Sequence, residues 1–183
     1  MRRTCLLALV LSTLPVAAAA AQRGTETQSD QRGPRVIEFR NDVQASEDTL
    51  PFTAEQVWSM VPHVFNELSL PASESADTAW HEFLTPYLQV RGRLFGRQNH
   101  EFFQCQDNGF GADLVDNANL TFAILMRVLP AGDGRALVRT QVDARARRRD
   151  IATNVVECTT TGFLEKALAQ MIAQRLAEAA ATP

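Results

Sequence analysis

The chain is poor in lysine, in cysteine and in long apolar runs, and each shortage excludes something. Lysine appears once, at Lys166, against seventeen arginines. So lopsided a ratio reads as coding-sequence base composition rather than as a choice of guanidinium chemistry. An excess of positive charge is missing too. The formal net charge is −3, or −5 once Arg2 and Arg3, within the first 21 residues, are set aside. General nucleic-acid binding needs a basic face, so nucleic acid is not expected as a partner. Spanning a bilayer takes about 20 apolar residues, and no run after residue 21 is that long. The mature chain therefore carries no transmembrane segment. Catalytic signatures are lacking as well. His81-Glu82 and His100-Glu101 each open like a zinc-protease motif, but neither has a second histidine four residues after the first. The third histidine, His63, has no such companion. Neither a Gly-x-Ser-x-Gly elbow nor a Gly-Lys-Ser/Thr phosphate loop occurs. No catalytic, metal or cofactor residue is assigned, and an enzyme is not expected.

What is present begins with an export signal. Arg2 and Arg3 form a basic start, Cys5 to Val16 an apolar stretch, and Ala17 to Ala21 a run of small residues fit for cleavage before Gln22. Residues 1–21 read as a signal peptide, 22–34 as a flexible polar leader, and 35–181 as a single α+β domain. The mature chain then works in the periplasm or outside the cell, where thiols oxidise. Of three cysteines, Cys5 lies in the signal, which leaves Cys105 and Cys158. One disulfide is the economical outcome. The alternatives are two free thiols or a catalytic thiol, and neither cysteine has a local signature for catalysis.

Periodicity marks the elements. A short strand is expected at Val36 to Phe39. Thr53-Ala54-Glu55-Gln56 fits a capping box, with Phe52 and Val57 placed as a hydrophobic staple. Val57, Trp58, Val61, Val64, Phe65 and Leu68 continue one helical stripe, in which Pro62 should kink or split the helix. Strands are expected within 78–84, 87–94 and 101–105, then a turn-rich stretch over 106–117. The clearest element is a hairpin. Leu120, Phe122, Ile124, Met126 and Val128 alternate with Thr121, Ala123, Leu125, Arg127 and Leu129. After a turn over 130–134, Val138 to Ala146 alternate with arginines and polar residues. One solvent-facing side is expected, as in antiparallel sheets. A further strand is expected at 155–158. Residues 162–180 follow as a long helix, with Leu164, Leu168, Met171, Ile172, Leu176 and Ala179 on its stripe and Glu165, Lys166, Gln170 and Gln174 off it.

The expected architecture is an antiparallel sheet packed against a long C-terminal helix, with a shorter helix near the N-terminus. In element order over residues 35–180 the chain resembles the helix-grip family. Its secreted members include domains of the small lipoprotein of the outer-membrane barrel-assembly machinery, and its intracellular relatives bind lipids. The resemblance implies either a protein-binding accessory or a carrier of an apolar ligand. The lipoprotein's lipid-attachment cysteine is not matched here.

Charge gives the candidate surface. Residues 35–90 hold two arginines and nine acids, a net of −7, whereas 91–149 hold ten arginines and six acids, a net of +4. Arg91, Arg93 and Arg97 flank the two glycines of Gly92 to Gly96, and Arg145, Arg147, Arg148 and Arg149 form a basic run. Together they are the candidate patch for an anionic partner, an envelope protein or an anionic surface. Otherwise they are a bend and a solvated strand end. Asn119-Leu120-Thr121 also matches a glycosylation acceptor, but it opens a well-patterned strand. The function expected is a non-enzymatic binding or accessory module. The alternatives are a carrier holding an apolar ligand between sheet and helix, and a hydrolase with a scattered site.

Overall fold

Alternation and capping, the two strongest local signals, place the elements that organise the molecule. The computed structural model describes residues 43–72, 77, 79–105, 115–147 and 155–181, all within the unit Pro34–Pro183. The signal peptide, the leader, the expected strand at 36–39, and Arg148 and Arg149 lie outside the described residues. In chain order the elements are β1 (Ser46–Leu50), α1 (Ala54–Glu67), β2 (Glu82–Leu84), β3 (Leu88–Arg91), β4 (Arg93–Leu94), β5 (Arg97–Gln98), a 3-10 turn (Asn99–Glu101), β6 (Phe103–Cys105), β7 (Asn119–Gly132), β8 (Arg135–Arg147), β9 (Val155–Thr160) and α2 (Phe163–Ala181). This is the α+β layout expected from the sequence, an antiparallel sheet with a long C-terminal helix and a shorter helix near the N-terminus.

β7 and β8 are the spine of the sheet. All described strand pairs are antiparallel, in the order β2-β7-β8-β9-β6. β3 continues β2's side of β7, and β1 takes the part of β8 that β9 leaves open. β4 and β5 form a separate hairpin. The β7–β8 turn is tighter than the sequence suggests. Pairing runs on to Gly132↔Arg135 across a register shift, leaving Asp133-Gly134 as the loop. Both residues have positive φ, the mirror-image turn that matches strand twist.

The inner face of β7 is the apolar row Leu120, Phe122, Ile124, Met126 and Val128, all at most 1% exposed. Opposite Leu120 and Phe122 stand Ala146 and Ala144, whose small side chains leave volume for the helices. The other face departs from expectation. Ala123, Leu125, Leu84 and Asp143 are buried there rather than solvated. Leu84 pairs with Leu125, and the Tyr87 hydroxyl donates to Asp143 Oδ2 at 2.5 Å. Strand alternation assigns faces, but a loop laid over one face can bury polar positions as well.

α1 starts on the capping box. Thr53 Oγ1 accepts from Gln56 N–H at 3.3 Å, and the Gln56 side chain accepts from Thr53 N–H at 3.0 Å. Pro62 does not split it, and the helix runs unbroken through fourteen residues. The ring lies on the exposed side, where water can serve the carbonyl left unbonded by the missing N–H. α2 buries Leu164, Leu168, Ala169, Ile172 and Leu176. Two expectations fail on it. Ala179 is exposed, because the buried stripe ends at Leu176. Glu165 is buried, because Thr160 of β9 sits against it and donates to Oε1. Arg175 of α2 bonds Glu67 of α1, with Nε to Oε2 at 3.1 Å. Neither described helix is long and apolar enough to cross a membrane.

Candidate functional site

The two cysteines meet on the sheet. Cys105 of β6 stands directly opposite Cys158 of β9, with their sulfurs at disulfide distance, 1.98 Å. Antiparallel pairing aims directly opposed side chains to one face, which brings two residues 53 apart in sequence into bonding range.

The strand register divides the candidate arginines into two places. Arg91 of β3 is opposite Asn119 of β7, and Asn119 is opposite Arg147 of β8. These three form one row across three strands. Because Leu120 and Ala146 point inward, the row faces outward, with Arg91 and Arg147 both exposed. The next row holds Thr121, Arg145 and Glu157. Arg145 is engaged. It bonds the buried Asp143 at 3.2 Å, and its guanidinium lies 5.6 Å above the Tyr87 ring. Asn119 is half-buried in mid-sheet with Oδ1 lacking a hydrogen-bond partner.

Arg93 and Arg97 stand apart, on the β4–β5 hairpin. Arg93 Nη1 donates to the Gly96 carbonyl at 3.1 Å. Arg97 Nε donates to Glu101 Oε2 at 2.8 Å, and its guanidinium lies 4.8 Å above the Phe163 ring. That hydrogen bond from Arg97 is the main reason the Glu101 carboxyl is held below its usual value, with the Gln98 N–H adding to it. Arg93-Leu94-Phe95-Gly96-Arg97-Gln98 forms a hairpin with a two-residue turn.

The histidines are separately occupied. His63 is exposed on α1, and His81 stacks on Trp58 at 5.3 Å between centroids. His100 Nδ1 is 2.6 Å from Asp116 Oδ2, while its backbone N–H donates to Asp116 Oδ1 at 2.9 Å. Among the described residues no three His, Cys, Asp or Glu side chains group to hold a metal.

The interior bears on ligand capacity. Val57, Val61, Val64, Phe65, Phe103, Leu120, Phe122, Ile124, Met126 and Ile172 have no accessible surface at all. A void wide enough for water would leave accessible area on its walls, so side chains fill the space these residues bound. Sequence reasoning missed the Tyr87–Asp143 pair, the burial of Glu165, and the exposed aromatics Phe95 and Phe163. Only Phe95-Gly96 had a legible signal, a glycine turn inside a short polar alternation.

No family model matches this chain, and no curated protein matches it. Among solved structures, a conserved protein from Geobacillus kaustophilus is 11% identical with a TM-score of 0.36, over 73% of this chain and 94% of that one. Norcoclaurine synthase from Thalictrum flavum, solved with dopamine and hydroxybenzaldehyde, is 11% identical with a TM-score of 0.34, over 78% and 95%. No function transfers at that level of likeness.

Proposed function

We propose that this chain is an exported, non-enzymatic binding module that meets its partner on the outside of the fold. Residues 1–21 direct export, and Cys105 and Cys158 bridge in the oxidising compartment that follows. One observation carries the reading. Ten apolar side chains of the sheet–helix interior, among the described residues, have no accessible surface, which disfavours an apolar cargo held against them. Binding then falls to the surface, and the outward row of Arg91 and Arg147 is its cationic feature. An acidic protein with a positive face is steered toward an anionic partner. Arg145 braces that face from the next row, and Arg148 and Arg149 extend the basic run in sequence.

Native mass spectrometry of protein purified from its natural envelope tests this. The expected spectrum shows the bare mature chain or the chain with a protein partner. A retained apolar small molecule would overturn the reading in favour of the carrier.

A further inference from the structure

The β4–β5 hairpin and the first turn of α2 place two partly exposed phenylalanines against one buried ring. Phe95 and Gly96 make a two-residue turn with φ of 52° and 80°. A Cβ built on Gly96 would meet nothing within 4 Å, so the turn is open on that side. Phe95 is 38% exposed and Phe163 is 42% exposed. Both rest edge-on against the same buried ring, Phe102, at centroid distances of 6.2 and 5.4 Å. Phe102 in turn leans on Phe103, and Phe103 on Phe122 in the core. The two exposed rings are thus fixed by an aromatic post rather than left to swing. Exposed aromatic surface held rigid is costly in water and loses little entropy on binding.

Cations lie on the two elements that carry the rings. Arg97 lies over Phe163, Arg93 is drawn toward the tip by Gly96, and Lys166 is exposed one turn along α2. Glu101, which contacts the group directly, is committed to Arg97. The local sign therefore opposes the net charge of the chain.

We infer that this tip is a docking point for an anionic lipid surface. Shape selects lipid over protein. Phe95 stands on a two-residue hairpin turn and Phe163 on the first turn of α2, and a protein partner would have to supply a matching pocket for both. The headgroup–acyl boundary admits an aromatic wedge without such complementarity, and its anionic lipids attract arginine and lysine. The site differs from the outward Arg91–Arg147 row, so it goes beyond the binding reading above and stands or falls separately.

The test is co-sedimentation of the purified mature protein with phosphatidylcholine vesicles made with and without phosphatidylglycerol. Wild type should bind the phosphatidylglycerol vesicles and be released by salt. Phe95→Ser and Phe163→Ser should each weaken binding about tenfold, the order expected from losing one inserted ring. Because Phe163→Ser could unsettle α2, Arg93→Glu and Lys166→Glu provide a second measure with both rings in place, and each should weaken binding to anionic vesicles alone. Equal sedimentation of wild type and Phe95→Ser would overturn the inference. So would loss of vesicle binding in Arg91→Ser with Arg147→Ser but not in Phe95→Ser, a result that leaves the outer-face reading intact. Capture of an envelope protein through Phe95 without vesicle binding would replace lipid by protein and also overturn it.

Discussion

Ser69 holds a backbone conformation that glycine adopts at lower cost. Its φ is 56°, and it closes α1 with its N–H on the Asn66 carbonyl at 2.9 Å while the Leu70 N–H reaches Phe65 at 2.8 Å. That is the hydrogen-bond pattern of a Schellman cap, whose left-handed position favours glycine. Ser69→Gly should therefore stabilise the protein by about 1 kcal/mol, the order of the left-handed penalty carried by a Cβ. Ser69→Ala should gain nothing, and urea unfolding of the two variants checks the difference. At this scale Thr53 and Gln56 were legible, because a capping box is a local contract between residues three apart. Glu165 was not. Its burial depends on Thr160 and the strand that carries it, and helical periodicity alone sets a charged residue off the apolar stripe. One of its oxygens, Oε2, is buried without a hydrogen-bond partner.

Among the elements, legibility follows the strength of the local pattern. β7 and β8 alternate over most of their length, and a one-residue slip would turn every large side chain to the wrong face. β1 reads Ser-Glu-Asp-Thr-Leu and buries only Leu50, so nothing in it announces a strand. It exists because β8 has an open flank that it pairs with. β4 and β5 are two residues each, too short for any periodicity. α2 was visible through Leu164, Leu168, Ile172 and Leu176, and its docking is measurable. Leu168→Ala and Ile172→Ala should each cost about 2–5 kcal/mol, the range for emptying a buried aliphatic site. Gln170→Ala, on the exposed side, should cost almost nothing. Chemical denaturation separates the three, and equal tolerance would mean that α2 is not seated on the sheet.

For the molecule as a whole, the Cys105–Cys158 link closes a loop that contains the β7–β8 hairpin. Cys105→Ser and Cys158→Ser should destabilise it to a similar extent, and the double variant no further than either single one. The chain-entropy model puts the effect at roughly 4 kcal/mol for a loop of this size. Non-reducing peptide maps should recover the linked pair, and two alkylatable thiols in the native protein would refute it. The overall layout was legible because both helices need an apolar floor and one sheet supplies it. The candidate arginine patch was only half legible, since register and not sequence proximity decides that Arg91 meets Arg147 while Arg93 and Arg97 go elsewhere. The same register has a colloidal consequence. β6 offers three residues at one margin, sulfur-tied to its neighbour. β2 and β3 offer three and four at the other, and β1 carries Glu47 and Asp48. Among the described residues a second copy seeking a strand to extend meets short or charged rims, which disfavour edge-to-edge stacking.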